Sequence, residues 1–244
     1  MNLLTWNLNH RAARRRIKPW VIEAIAAESP DAVVLTEYVQ GIDDAPFRAI
    51  LGRLGFNNIS ISERPRRQNQ VMILTKSIHE RIPLPDPAIH AAVPSNILQV
   101  RTSEGLNIVG FRMPAYERKN AHCKPTTWDW LIDVVDKLKA EPTVIAGDFN
   151  TAVGDSDAYC GNKLQALIDR GWNHLAPDSG HSWRRAGGVE RAIDHVFVSN
   201  HLAKGATARY SWDFQNDNAE ASKAVVGSPD HAMVIADFPW REGQ

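Results

Sequence analysis

The chain has 244 residues, of which 43% are hydrophobic and 23% are charged. This balance is typical of a folded globular protein and argues against a disordered, collagen-like or coiled-coil chain. Lys and Arg together number 28, as do Asp and Glu, so the net charge is zero and no overall field draws the protein to nucleic acid or membranes. The two cysteines form no CxxC or disulfide pattern. The first residues, MNLLTWNLNH, lack the features of a signal peptide, so we expect a cytoplasmic protein.

Short apolar segments recur along the chain, and most are rich in β-branched residues, which predicts buried strands. In chain order they are Leu3–Leu8, Ala32–Leu35, Val71–Leu74, Ile97–Val100, Ile108–Phe111, Thr143–Ala146, His195–Val198 and Met233–Phe238. Apolar residues at helical spacing predict helices between some of these strands. The predicted helices are Pro19–Ala27, Thr127–Leu138 and Asn162–Asp169.

Helices and strands alternate only in part, because residues 71–111 contain consecutive predicted strands with no helix between them. This order favours two mixed β-sheets packed face to face over a single parallel doubly wound sheet. No repeat, low-complexity tract or linker interrupts the chain, so we expect residues 1–244 to form one domain.

Acidic, amide and histidine side chains lie at the ends of predicted strands. They are Asn7, Asn9, Glu37, Asp148, Asn150, Asp194, Asp230 and His231. Strand ends are rigid and open into clefts, where such side chains can converge. Carboxylate and amide oxygens are preferred ligands of Mg²⁺ and Mn²⁺, which also bind substrate phosphates. Taken alone, each of these residues is as typical of a turn or a helix cap as of a metal site. The prediction therefore depends on their occurring together, one after another at successive strand ends.

Six segments carry a family resemblance. They are LLTWNLN (3–9), DAVVLTE (31–37), VMILTK (71–76), GDFNT (147–151), AIDHVFVS (192–199) and SPDHAMV (228–234). In this order they resemble the endonuclease/exonuclease/phosphatase superfamily, which includes exonuclease III, AP endonucleases and DNase I. The resemblance implies an α/β fold of four layers, with two mixed β-sheets packed face to face and helices outside. It also implies a metal-dependent phosphodiesterase or phosphatase that needs no covalent nucleophile.

The resemblance further implies catalytic roles for individual residues. Asn7 matches an amide that helps to form the phosphate and metal site, and Asn150 matches an amide that contacts a phosphate oxygen. Asp148 matches the residue that orients or deprotonates the attacking water. Asp194 matches the carboxylate that orients a histidine, and His231 matches the histidine that contacts the scissile phosphate.

Three further residues match the metal side of the family's site. Glu37 matches the principal ligand, Asp230 matches a further carboxylate, and Asn9 occupies a position where some members have Asp or Asn. The implied cofactor is Mg²⁺ or Mn²⁺, which would neutralise charge on the phosphate.

One position departs from the family's pattern. Many members have His or Tyr shortly after the middle strand, where this sequence has Arg112. Arginine stays protonated and cannot act as a general acid, although its planar fork binds phosphate. Arg112 is therefore a candidate phosphate ligand, with a plain surface charge as the alternative, and the source of the leaving group's proton stays open. Tyr116, Lys119 and Lys124, which follow it, are expected to be loop surface.

Three segments are expected to contact substrate, namely residues 10–18, 64–70 and 209–227. In the first, Arg14 and Arg15 belong to a basic cluster that predicts an anion-binding surface, although a solvated face is an equally good explanation. We expect a monomer with no obligate protein partner and no membrane segment.

Aromatic residues add a second class of candidate substrate contacts. Trp212 and Phe214 are candidates for stacking on bases. Trp183 lies where relatives have a tryptophan near the site, and internal packing explains it equally well. A nuclease acting on DNA or RNA is the first prediction. The alternatives are a phosphatase or phosphodiesterase for a small molecule or lipid headgroup, and a catalytically inactive binding module.

Overall fold

The computed structural model describes residues 1–9, 17–63, 69–86, 94–118, 121–184, 188–215 and 229–240. The strands are β1 (Asn2–Asn7), β2 (Ala32–Tyr38), β3 (Asn58–Ile61), β4 (Gln70–Thr75), β5 (His79–Ile82), β6 (Ile97–Thr102), β7 (Asn107–Arg112), β8 (Thr143–Asp148), β9 (Asn173–His174), β10 (Trp183–Arg184), β11 (Glu190–Arg191), β12 (Asp194–Val198), β13 (Thr207–Ser211) and β14 (Met233–Asp237). The helices are α1 (Pro19–Glu28), α2 (Asp44–Arg53), α3 (Cys123–Asp136), α4 (Gly161–Asp169) and α5 (Asn200–Ala203).

Two six-stranded mixed sheets form the centre of the described structure. Sheet I has the order β13-β14-β1-β2-β4-β3, and sheet II has the order β5-β6-β7-β8-β12-β9. Each sheet has one parallel pair at its middle, β1 with β2 and β7 with β8. Parallel neighbours need a crossover connection, and α1 and α3 lie in these two crossovers. The predicted pair of mixed sheets is confirmed.

The apolar faces of the sheets divide the core into three layers of side chains. Aliphatic residues of both sheets pack between them, while α1 and α2 cover the outer face of sheet I and α3 and α4 cover the outer face of sheet II. The sheets approach closely at Gly110 of β7, where a Cβ atom would lie 2.7 Å from Val71 and 2.9 Å from Val34. This helix–sheet–sheet–helix order is the predicted four-layer sandwich.

All eight predicted strands and all three predicted helices are present, with changes at their ends. Helix α3 begins at Cys123 rather than at Thr127, because Pro125 falls in the first turn, where a missing N–H costs no helical hydrogen bond. No helix among the described residues is long and apolar enough to cross a membrane.

The segment 209–227, which we expect to contact substrate, begins in a strand. Residues 209–211 belong to β13, which pairs with β14 at the edge of sheet I. The part from 216 to 227 lies outside the described residues. The sequence gives little strand signal at β13, because only Ser211 of its five residues is buried and the alternating apolar pattern of a half-buried strand is missing.

Candidate active site

The two sheets bring polar side chains together at one end of the sandwich. In sheet II, Arg112 ends β7 beside Asp148 of β8, and Asp194 of the antiparallel β12 lies opposite Asp148. In sheet I, Asn7 ends β1, and its Nδ2 donates a hydrogen bond of 3.0 Å to Oδ2 of Asp148. This bond joins the two sheets at the site. Because β1, β7 and β8 all end at this edge, distant parts of the sequence meet there.

Glu37 and Asn150 reach the site through unusual backbone conformations. Both are left-handed, with φ values of 52° and 47°. Asparagine tolerates this region, whereas a glutamate there carries strain of about 1–3 kcal/mol. A register shift between Leu35 and Tyr38 marks a β-bulge in β2 that contains Glu37. Bulges beside functional sites redirect a side chain, and this one accompanies the turn of the Glu37 carboxylate toward Arg112.

Asp148 is a buried carboxylate surrounded by amide donors. Its Oδ1 accepts the backbone N–H of Asn150 at 2.9 Å, and its Oδ2 accepts the side-chain amides of Asn7 and Asn150, each at 3.0 Å. Burial raises the pKa of Asp148, and the nearby charge of Asp194 raises it further. The three hydrogen bonds orient the carboxylate, while its raised pKa makes it a better proton acceptor than an ordinary aspartate.

Asp194 and His231 form the hydrogen-bonded pair that the sequence predicts. Nδ1 of His231 lies 2.7 Å from Oδ2 of Asp194, and both side chains are buried. Burial alone would lower the pKa of His231, but the charge and hydrogen bond of Asp194 raise it to about 10. The ring is therefore an imidazolium at neutral pH, and Nδ1–H is directed at the carboxylate, which leaves Nε2–H for another acceptor.

Ser182 supports both members of this pair, and the sequence analysis did not assign it a role. Its Oγ accepts the backbone N–H groups of Ile193 and Asp194 at 2.8 and 2.9 Å. Its carbonyl accepts the N–H of Ala232, next to His231, at 2.7 Å. A serine next to a tryptophan carries no pattern that would distinguish it, so only the pairing of distant segments reveals this position.

Glu37 and Arg112 form an ion pair across the site. Nη2 and Nε of Arg112 lie 2.7 and 2.9 Å from Oε1 of Glu37. Burial would raise the pKa of Glu37, but the charges of Arg112 and His231, with hydrogen bonds from Arg112 and Asn7, lower it overall. The carboxylate is thus ionised at neutral pH. Arg112 is not a plain surface charge, since its side chain is only 18% exposed.

The other two predicted metal ligands lie further out. Asp230 has a half-exposed side chain, with Oδ1 4.0 Å from Nε2 of His231, and its Oδ2 accepts the indole N–H of Trp183 at 3.3 Å. The backbone N–H of Asn9 donates to Oδ1 of Asn7 at 2.9 Å. Trp183 therefore lies beside the His231 segment, with which it forms a β-bridge.

Candidate ligand atoms also converge without Glu37. Among the described residues, single ligand atoms of Asp148, Asp194 and His231 lie within 4.8 Å of one another. In this set, Nδ1 of His231 is already hydrogen bonded to Asp194. The site therefore offers a hydrogen-bonded acid–base cluster, in which Asp148 and Asp194 come from sheet II and His231 from the segment before β14, together with an ionised Glu37 on sheet I.

The predicted substrate contacts have mixed outcomes. The indole N–H of Trp212 donates to the carbonyl of His181 at 3.0 Å, and its ring packs against the core on the outer face of sheet I. The expectation that Phe214 stacks on bases is wrong, because its ring is 7% exposed and stacks on Trp20 inside the core. Arg14 and Arg15 lie outside the described residues.

The prediction that Lys124 lies on a loop surface is wrong. It is 1% exposed, and its Nζ donates a 2.6 Å hydrogen bond to the carbonyl of Asn150. It lies in the first turn of α3, four residues before the buried Trp128 and seven before Leu131. Extending this apolar stripe one turn toward the start of the helix would have placed Lys124 on the buried face.

Comparison with known proteins identifies a family model and several similar structures. A sequence model described as the Endonuclease/Exonuclease/phosphatase family matches residues 4–213. A 3'-5' exonuclease from Neisseria meningitidis is 22% identical with a TM-score of 0.75, covering 98% of this chain and 100% of that chain. An AP endonuclease from Archaeoglobus fulgidus is 15% identical with a TM-score of 0.73, again over 98% and 100%.

A truncated TDP2 from Caenorhabditis elegans is 15% identical with a TM-score of 0.68, covering 97% of this chain and 96% of that chain. At these identities the structural likeness supports the fold alone. A search of curated proteins finds no significant match.

Proposed function

The chain belongs to the endonuclease/exonuclease/phosphatase family, and from this premise we propose that it is a metal-dependent nuclease that hydrolyses phosphodiester bonds. The observation that carries the proposal is the buried Asp148 carboxylate. It is oriented by the amides of Asn7 and Asn150 and lies next to the Asp194–His231 pair. An oriented proton acceptor beside a buried cation is the arrangement that direct attack of water on a phosphate requires.

The proposed chemistry assigns the proton transfer to Asp148. As the water oxygen bonds to phosphorus, its proton passes to the Asp148 carboxylate. The bond from phosphorus to the leaving oxygen breaks, the electron pair stays on that oxygen, and solvent supplies its proton. The Nε2–H of His231, held by the bond from Nδ1 to Asp194, donates to a phosphate oxygen as negative charge develops there.

A divalent cation such as Mg²⁺ or Mn²⁺ is proposed as the cofactor. Glu37 would hold it, together with Asp230 and the amide oxygens of Asn7 and Asn9, and the ion would neutralise charge on the phosphate and leaving oxygen. The residues fit an oxygen-loving ion, because Glu37 is an ionised carboxylate and the other groups are carboxylate and amide oxygens. The Asp148–Asp194–His231 set fits less well, since one ligand atom is a nitrogen already bonded to Asp194.

DNA or RNA is the proposed substrate. Similar structures include an AP endonuclease and a Neisseria 3' phosphatase bound to a product DNA hairpin. Arg14 and Arg15, in the basic cluster that follows β1 in the sequence, are proposed to contact the backbone phosphates, and Trp183 and Trp212 are proposed to contact the nucleotides. The zero net charge favours a second candidate, a phosphatase or phosphodiesterase for a small molecule or lipid headgroup.

The test is metal-dependent hydrolysis by the purified full chain. Bis-p-nitrophenyl phosphate measures phosphodiesterase activity, and a panel of abasic duplex, single-stranded DNA, RNA and a phosphoinositide identifies the substrate class. We expect hydrolysis with Mg²⁺ or Mn²⁺, preference for a nucleic acid, and loss of activity in Asp148→Asn but not in the exposed control Asp133→Asn. No hydrolysis with either metal, or full activity in Asp148→Asn, would overturn the proposal.

A further inference from the structure

Arg112 occupies the carboxylate that the proposed metal needs. Two guanidinium nitrogens contact Oε1 of Glu37, and the two side chains are 18% and 16% exposed. A guanidinium stays charged at any physiological pH, so a fixed cation neutralises Glu37 before any metal binds. The bulge and left-handed backbone at Glu37 aim this carboxylate at Arg112.

A divalent cation on Glu37 would lie close to this guanidinium. Both are positive and partly shielded from water, so their repulsion is stronger than between exposed charges. In the ion-paired state, the site is therefore expected to bind metal weakly. Full metal affinity requires a second anion that binds Arg112 in place of Glu37.

The register of sheet II indicates which anion this is. Arg112 and Asp148 are neighbours on parallel strands, so a phosphate that is attacked beside Asp148 lies about one strand spacing from Arg112. Asp148 itself already accepts three hydrogen bonds from Asn7 and Asn150, which leaves it a poor alternative partner for the guanidinium. A phosphate offers oxygens at the spacing of the guanidinium fork and binds it in two-point geometry.

We propose that Arg112 couples metal binding to substrate binding: it pairs with Glu37 in the free enzyme and transfers to the substrate phosphate, which releases Glu37 for the divalent cation. This inference rests on the proposed function, since it takes a phosphate ester and a divalent cation as the two ligands. Coupling is reciprocal, so the metal must also increase the affinity for substrate by the same factor.

The coupling is measurable as a change in Mn²⁺ affinity. Mn²⁺ binding is titrated by calorimetry and by electron paramagnetic resonance, with and without a short DNA hairpin that carries a 3' phosphate. The full chain carries Asp148→Asn so that the hairpin is not hydrolysed, and Mn²⁺ binding to the hairpin alone is subtracted. This parent is compared with Arg112→Gln, Arg112→Lys and the control Arg101→Gln, which removes an exposed Arg–Glu pair of the same sheet.

In the parent and in the Arg101→Gln control, we expect the hairpin to tighten Mn²⁺ binding by at least about fivefold. In Arg112→Gln, Mn²⁺ should bind more tightly without the hairpin, and the added effect of the hairpin should fall. Arg112→Lys keeps the positive charge and should keep the weak Mn²⁺ binding in the absence of the hairpin. This variant therefore distinguishes loss of the competing charge from misfolding as the cause of any change in Arg112→Gln.

Equal coupling in the parent and in Arg112→Gln would overturn the inference, as would weaker Mn²⁺ binding in Arg112→Gln than in the parent. Failure of the proposed function has a different result, namely that the wild-type chain hydrolyses no phosphodiester with any divalent metal. An enzyme that is active but shows no dependence of Mn²⁺ affinity on Arg112 therefore refutes only the coupling.

Discussion

Replacing Asp194 by Asn should remove the positive charge of His231 and shift the pH dependence of activity. Burial lowers the pKa of the ring, but the charge of Asp194 and its 2.7 Å hydrogen bond, with smaller contributions from Asp148 and Asp230, raise it to about 10. At about pH 8 the wild-type ring is almost fully protonated, whereas a ring with a pKa of 6.5 or less is at most about 3% protonated. A return to this ordinary pKa decreases the charged form about 30-fold, and by less to the extent that the charges of Asp148 and Asp230 still favour it.

The expected loss of kcat/KM near pH 8 is about 10-fold to 10³-fold, because less of the ring is charged and the ring is no longer held by an ionised partner. The active form of His231 is the protonated one, so the wild-type rate falls only as the pH rises through the raised pKa of the ring. The rate of Asp194→Asn should fall at a much lower pH. The ratio of the wild-type rate to the variant rate should therefore become smaller as the pH decreases. Asp148 must be ionised in both proteins, and because Asp194 helps to raise its pKa, the acid limb of the pH–rate profile also shifts in the variant; the basic limb is therefore the one to compare.

The assay is hydrolysis of bis-p-nitrophenyl phosphate from about pH 5 to pH 10, recorded at the isosbestic wavelength of the product. His231→Gln and the double variant Asp194→Asn/His231→Gln complete the cycle. Because the two residues act as one unit, the double variant should be little worse than His231→Gln alone. Two results would refute this reasoning. One is a pH–rate profile of Asp194→Asn whose basic limb lies at the wild-type pH, and the other is a loss of activity in the double variant equal to the product of the two single losses.

Three other variants test separate parts of the site. Glu37→Gln should lower activity sharply, and excess Mn²⁺ should restore part of it; full activity at ordinary metal concentrations would contradict its role as a ligand. Ser182→Ala removes the acceptor of two buried N–H groups and should lower the free energy of unfolding by about 1–3 kcal/mol in urea titrations, unlike the exposed Ser103→Ala. Lys124→Met should reduce kcat about 10-fold or more, because the carbonyl of Asn150 loses its donor, whereas the exposed Lys137→Met should match wild type.

Residues at strand ends were predictable because their signal is local. Asn7, Asp148 and Asp194 adjoin short apolar strands whose β-branched composition identifies them, and the register then brings them together. The resemblance to a family added the common role of these residues, because they occur along the chain in the order that the family has. Arg112 was predictable as a departure from that family's pattern, but its partner was not, since Glu37 is 75 positions away and reaches it through a bulge.

Burial of polar and aromatic side chains was the least predictable property. Phe214 follows Trp212 in a segment that resembles an exposed loop, yet α1 and β1 supply the aromatic neighbours that enclose it. Lys124 has the composition of a surface residue, and only the packing of α3 against sheet II places its ammonium group behind the Asn150 loop. Both depend on which faces of distant elements meet.

By itself, the amino-acid sequence predicted eight of the twelve strands of the two described sheets, the mixed arrangement of these sheets and the polar side chains at several strand ends. These properties depend on hydropathy and on the conformational preferences of neighbouring residues, which act over a few positions. Only the tertiary structure decided two further sets of partners: Glu37 with Arg112, and Ser182 with the segments around Asp194 and His231. Hydrogen bonds and ion pairs depend on distances of about 3 Å between atoms from distant segments, and these distances are established only when the sheets pack.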